Sequence, residues 1–257
     1  MKSKIIGVVP ARMAASRFPG KPLVPILGRP MIDHVIGRAK LYGNWDELVL
    51  ATCDEEIAKV GRRLGIPVIM TGSHHTRALD RVAEAACKLP FQLKNTDIVV
   101  CVQGDEPMLR PDMIEAVVRP LQESDIICCT VLAMHITEKE IWENTDTVKI
   151  IYNAEGEVLY TSRMPMPYAR NGFSPALLAR RIYGIFAFRW KNLLEFTRHP
   201  ETHLERLESC DSNRILDMNF TQHIAAYPCI KSFSVDSPED IMIVEKNMSQ
   251  DPLFGSY

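Results

Sequence analysis

The sequence predicts an α/β fold with a mainly parallel central sheet, helices on both faces and a smaller antiparallel subregion. Between Ile5 and Glu123, four short, nearly continuous apolar runs alternate with segments of helical period, as in βα units whose strands are buried on both faces. After about Ser124 the apolar runs follow one another with turns between them, as in hairpins. At 257 residues, 46% hydrophobic and 24% charged, the chain has ordinary globular composition and ample length for a core.

Each element has its own signal. Ile5 to Val9 reads as a buried strand and Met31 to Leu41 as a helix. Glu47 to Thr52 is the next strand, followed by a helix from Asp54 to Leu64 with Asp54 placed as its N-cap. Pro67 to Met70 and Asp97 to Val102 are further strands, with a helix from Arg77 to Lys88 between them. Pro111 opens a helix to about Glu123, since proline favours the first helical position. Beyond it, Ile126 to His135, Thr147 to Tyr152, Glu157 to Thr161, Ile182 to Phe188 and Ile230 to Val235 read as strands, with Asn153 to Gly156 as a hairpin turn. Helical segments lie near Trp190 to Thr197 and Thr202 to Glu208. Ser237-Pro238-Glu239-Asp240 starts a final helix, with Ser237 as N-cap and Asp240 at the capping-box position. The expected organisation is one domain over 1–257: a βα half (1–124), a subregion (125–235) and a closing helix (236–257).

Composition narrows the function. Thirty Lys+Arg against 32 Asp+Glu gives a formal charge of -2, so the chain lacks the footprint of a dedicated nucleic-acid binder and any phosphate affinity is local. No apolar run approaches the roughly 20 residues of a membrane span. The apolar stretch after Met1-Lys2-Ser3-Lys4 is cut short by Pro10 and Arg12, which argues against a secretory leader. Seven cysteines without a C-x-x-C pair, several of them in apolar runs, suit a cytoplasmic location.

In an open parallel sheet, ligands bind beyond the carboxyl ends of the strands. After the first strand comes a loop from Pro10 to Pro22 with three cations (Arg12, Arg17, Lys21), small residues, a glycine and no acid. Such a loop can wrap N–H groups and fixed charges around a polyphosphate; the bland reading is a solvated basic loop. It is not a Walker loop, because Ala15 stands where glycine is required and Pro22 follows Lys21. There is no G-x-G-x-x-G. The fourth strand ends in Val102-Gln103-Gly104-Asp105-Glu106-Pro107, where Asp105 is placed to hold Mg²⁺ on substrate phosphates or merely to start a turn. Asp236 follows the last expected strand and is the candidate second carboxylate. His74-His75 sits in a loop, and no His/Cys set has zinc spacing. The carboxylates of Thr202 to Glu208 read as a solvated helix face rather than a glycosidase pair.

Together, Pro10-Ala11-Arg12 with Ser16-Arg17-Phe18-Pro19-Gly20-Lys21-Pro22-Leu23, then Gly28-Arg29-Pro30-Met31-Ile32, Gln103-Gly104-Asp105-Glu106-Pro107, Val148-Lys149, Leu159 to Arg163 and Val235-Asp236-Ser237-Pro238-Glu239-Asp240, resemble the 3-deoxy-manno-octulosonate (Kdo) cytidylyltransferases, collinearly over nearly the whole chain. The resemblance implies a GT-A-like nucleotidyltransferase fold, usually a homodimer, that moves CMP from CTP to an anionic 3-deoxy-ulosonic sugar acid and releases pyrophosphate, a step of lipopolysaccharide biosynthesis if that acid is Kdo. It implies that Arg12, Arg17 and Lys21 bind the triphosphate. Pro10, Ala11, Thr52, Thr71, Gln103 and Gly104 would line the nucleotide site, and Asp105 with Asp236 would carry Mg²⁺. Toward the acceptor it places Arg77, Arg81, Tyr183, Glu205, Asp211 and Arg214.

Three segments depart from the family pattern. Arg77-Ala78-Leu79-Asp80-Arg81 replaces Ser-Gly-Thr-Glu/Asp-Arg, Cys210-Asp211-Ser212-Asn213-Arg214 replaces Leu-Glu-Gln-Leu-Arg, and Ile182 stands where the family has a histidine. This pattern suggests a retained CTP site with an altered acceptor pocket, the alternative being drift in a true Kdo enzyme. A same-fold enzyme for another base, a non-catalytic nucleotide-binding relative and a glycosyltransferase are the competing readings.

Overall fold

The computed structural model describes residues 3–14, 18–230, 233–235 and 237–257, so the expectations placed on Arg17 and Asp236 lie outside the described residues. The chain packs as two compact units, 1–115 with 231–257, and 116–230.

In the first unit, β1 (Ile5–Ala11), β2 (Glu47–Thr52), β3 (Val68–Met70) and β4 (Ile98–Val102) form a parallel sheet in the order β4-β1-β2-β3. α1 (Met31–Lys40), α2 (Glu55–Arg63) and α3 (Ala78–Cys87) connect the strands. Nearly every residue of β1 and β4 is buried, which is why they read as uninterrupted apolar runs. A two-stranded turn, Pro25–Ile26 with Arg29–Pro30, precedes α1. The closing helix α9 (Asp240–Met248) packs into this unit: Val244 and Met248 join Ile26, Met31, Met108 and Val235 in one buried cluster. α4 (Pro111–Glu123) has the expected bounds.

In the second unit, β5 (Cys129–His135), β6 (Lys149–Tyr152), β7 (Val158–Ser162), β8 (Arg180–Arg189) and β9 (Gln222–Tyr227) run in the order β9-β5-β8-β6-β7. All these pairings are antiparallel except β9 with β5. The helices here are α5 (Lys139–Glu143), α6 (Trp190–Arg198), α7 (His203–Glu208) and α8 (Asp211–Asp217).

Several expectations need correction. Asp54 occupies the N-cap position of α2, but its carboxylate makes no capping bond and instead accepts the Met13 N–H at 2.8 Å. The strand expected at Ile230 to Val235 is absent over the described residues there, because the Val235 N–H donates to the Asp105 carbonyl at 3.0 Å and its own carbonyl accepts Lys21 Nζ. The last strand is Gln222–Tyr227, whose buried Gln222 hides it from an apolar scan. The final helix starts at Asp240, although the Asp240 carboxylate does reach back to the Ser237 N–H at 2.7 Å.

Candidate active site

The carboxyl ends of β1, β2 and β4 bring the nucleotide-side candidates together. Pro10 and Ala11 end β1, and Ala11 is in register with Thr52 at the end of β2. The Thr71 N–H donates to the Thr52 carbonyl at 2.8 Å, which carries the chain past the end of β3. Gln103, Gly104 and Asp105 leave β4 beside β1. A Cβ on Gly104 would lie 2.6 Å from the Pro10 carbonyl oxygen, so only glycine lets these two turns approach so closely.

The basic loop folds back on itself. The Gly20 N–H donates to the Met13 carbonyl at 2.9 Å, and Gly20 takes a left-handed φ of 76°, which favours glycine. Asp54 holds the other side of the loop through the Met13 N–H. The loop thereby delivers Lys21, whose Nζ donates to Asp105 Oδ2 at 2.8 Å and to the Val235 carbonyl at 2.7 Å. The Lys21 side chain is 13% exposed and that of Asp105 31%. Arg12 donates to the His75 carbonyl at 3.1 Å, which ties the first cation to the loop after β3.

Asp105 supplies an oxygen donor of the kind Mg²⁺ prefers, and the backbone of Val235, the residue before Asp236, is hydrogen-bonded to it. The donor chemistry at this position fits the metal.

Of the acceptor-side candidates, Arg77 and Arg81 belong to this unit. Arg81 is 2% exposed and donates to the Thr71 hydroxyl, while its second terminal nitrogen is buried without a hydrogen-bond partner. Buried donors are rarely left so, and an anionic group is the natural complement. The Thr52 hydroxyl accepts the Asp54 N–H at 3.1 Å and its carbonyl accepts the Thr71 N–H, so this buried residue fastens the loops at the ends of β2 and β3.

The others lie in the second unit. Glu205 and Arg214 are fully buried against each other, with Arg214 Nε donating to Glu205 Oε2 at 2.7 Å, a second bond from the guanidinium to Oε1, and Phe196 stacked 4.4 Å from its centre. Such a bidentate pair holds α7 to α8, and each buried charge is compensated by the other. Glu208 also departs from the solvated-face reading: it accepts from Ser162 Oγ, Tyr160 Oη and the Arg163 N–H. Partial burial works against its charge, but these donors outweigh it and lower its pKa. Tyr183 is buried within β8, and Asp211 opens α8. Asn213, in the divergent segment, is buried and exchanges hydrogen bonds with Thr161, which ties α8 to β7.

Sequence reasoning missed two features. One is the Val235 carbonyl as a Lys21 partner, which no side-chain pattern reveals. The other is the approach of Glu84 to His74 and His75, because Glu84 lies within α3, nine residues beyond His75 in sequence.

A cytidylyltransferase family model matches residues 6–224. A 3-deoxy-manno-octulosonate cytidylyltransferase of Nitratidesulfovibrio vulgaris is 40% identical over 240 residues, 93% of this chain and 93% of its own. The chain belongs to the 3-deoxy-manno-octulosonate cytidylyltransferase family. A member from Syntrophobacter fumaroxidans is 38% identical over 248 residues, covering 96% and 98% of the two chains. A solved CMP:2-keto-3-deoxy-manno-octonic acid synthetase complexed with CTP aligns with a TM-score of 0.86 at 32% identity, over 96% of this chain and 99% of its own. A 4-diphosphocytidyl-2C-methyl-D-erythritol synthase from Anaerococcus prevotii aligns at 0.64 with 12% identity, a likeness of fold alone. Family membership across this span does not favour the altered-acceptor, other-base, non-catalytic or glycosyltransferase readings. No helix among the described residues is long and apolar enough to cross a membrane.

Proposed function

We propose that this protein transfers CMP from CTP to Kdo and releases pyrophosphate. The observation that carries the reading is Lys21, held between the Asp105 carboxylate and the Val235 carbonyl where the β1 and β4 turns meet. The sugar hydroxyl attacks the α-phosphorus; one P–O bond forms as the bond to pyrophosphate breaks. Charge grows on the leaving group, so positioning and electrostatics do most of the catalysis. Lys21 and Arg12 lie near the carboxyl ends of the strands, where their cations stabilise that charge; Arg17, outside the described residues, is the third cation of this reading. Pro10, Ala11, Gln103 and Gly104 shape the nucleotide cradle through backbone and amide groups, with Thr71 beside it.

Asp105 and Asp236 would hold Mg²⁺, which when bound neutralises phosphate oxygens. The hydrogen bond from Lys21 Nζ holds that carboxylate in place. Arg77 and the buried Arg81 supply cations for the acceptor's acid group. The cytoplasm is the expected location, and a homodimer belongs to the same reading; exposed Met164 and Tyr168, 63% and 86% accessible, suit an additional interface.

Lys21→Ala tests the central role. Losing one preorganised cation lowers kcat by about 10²–10³ while the fold survives. A Lys21→Ala enzyme with unchanged turnover removes Lys21 from the mechanism.

A further inference from the structure

The loop after β3 and the helix that follows it assemble a side-chain cluster to which the proposed reaction assigns no role. His74 and His75 lie side by side with ring centroids 4.2 Å apart, and Glu84 rises toward them from α3. One potential ligand atom from each of the three lies within 4.8 Å of the others. His75 Nε2 is hydrogen-bonded to Glu84 Oε2. The Gly72 N–H reaches the Glu84 oxygens at 3.2 and 3.0 Å, and Lys88 Nζ reaches Oε1 at 2.6 Å.

We propose that His74, His75 and Glu84 form a binding site for a divalent transition-metal ion of the zinc class, separate from the Mg²⁺ expected at Asp105. Two imidazoles and one carboxylate make the three-ligand set that such ions take in open tetrahedral sites, with water in the fourth position. Imidazole nitrogen selects Zn²⁺, Co²⁺ or Ni²⁺ over Mg²⁺, which demands oxygen. Metal–ligand bonds of about 2.0–2.2 Å put tetrahedral ligand atoms roughly 3.3–3.6 Å apart, so closure from the observed spacing needs side-chain rotation only. His74 is the ligand best able to move, since it is exposed on the loop.

The surroundings are organised for the task. The Gly72 N–H fixes the carboxylate, the outer-shell support that metal ligands ordinarily have. A side chain on Gly72 would overlap the His74 ring, so glycine here makes room for it. The Glu84 carboxylate is also held by Lys88 Nζ and by His75. Lys88 is half-exposed, and its surface ion pair is cheap to give up when the metal arrives. The His75 carbonyl also accepts from Arg12, so metal occupancy anchors the loop that receives a phosphate-side cation.

The test uses the full chain, stripped with chelator and returned to excess Mg²⁺ to occupy oxygen-rich sites. A Cys87→Ser, Cys229→Ser background removes the two exposed thiols. Zn²⁺ is titrated calorimetrically and Co²⁺ by its visible absorption. The expected result is one equivalent bound, at least tenfold more weakly in His74→Gln and Glu84→Gln, with Mg²⁺-dependent CTP binding retained in His74→Gln. His74 is exposed, so His74→Gln decides the matter even where Glu84→Gln does not fold. Failure to bind either ion under excess Mg²⁺, or one-equivalent binding unchanged by His74→Gln, overturns the proposal. Neither result depends on turnover, so the proposed reaction stands or falls separately.

Discussion

Gly104→Ala is a small change with a calculable consequence. The new Cβ would stand 2.6 Å from the Pro10 carbonyl oxygen, about 0.8 Å inside the 3.4 Å at which ordinary contact begins. Both partners are backbone at the ends of adjacent strands, so no rotamer change relieves the clash; the β1 and β4 turns must separate. Overpacking of this kind costs about 1–3 kcal/mol, which at roughly 2–4 °C per kcal/mol lowers Tm by about 2–12 °C. The same movement shifts Arg12 and Asp105 relative to each other, and a displacement near 1 Å is enough for a loss of about 10²-fold in rate. The assay pairs thermal melts with kcat for pyrophosphate release. Gly43→Ala is the control, because a Cβ there meets nothing within 4 Å. A Gly104→Ala enzyme matching wild type in both Tm and kcat would refute the argument that this close approach positions the site.

Two further predictions concern stability. Arg214→Met leaves the Glu205 carboxylate buried and uncompensated, so it costs about 3–5 kcal/mol, while Glu205→Leu with Arg214→Met recovers much of that; denaturant melts of the three variants decide, and a double variant as unstable as Arg214→Met contradicts the pair analysis. His34 is buried between the Ile26 carbonyl, which accepts from Nε2, and the Tyr257 hydroxyl at Nδ1, each at 2.8 Å. Burial lowers its pKa below the ordinary 6.5, with Arg29 and Arg38 adding to the shift and the Ile26 bond and Asp33 opposing it. The unfolded chain then binds the proton more readily, so this contribution to stability is lost as pH falls below 6.5 and is regained above it. Urea melts between about pH 7.5 and about pH 5.5 should show that slope flattened in His34→Gln, and an unchanged slope removes His34 as its source.

Legibility followed the chemistry of burial. β2 and α4 matched their expected bounds because one is a plain apolar run and the other opens on proline. α8 and β9 escaped because each buries polar side chains: Asn213, Arg214 and, at the start of β9, Gln222 are buried through hydrogen bonds and ion pairs, which no hydrophobic period records. Ile230 to Val235 misled for a different reason, since Val235, at the end of its scattered apolar residues, gives its backbone groups to Asp105 and Lys21 instead of a ladder. The nucleotide-side candidates were legible because cations, glycine and carboxylate at strand ends are themselves the chemistry. The acceptor side was less so, since Glu205 and Arg214 form a charged pair whose closure on itself appears only in three dimensions.

The measurement closest to the central claim is pyrophosphate release with Mg²⁺ and CTP, with and without Kdo, beside ATP, GTP and UTP. Release that requires both CTP and Kdo is expected; release that ignores Kdo, or is supported equally by another nucleotide, would overturn the proposed function.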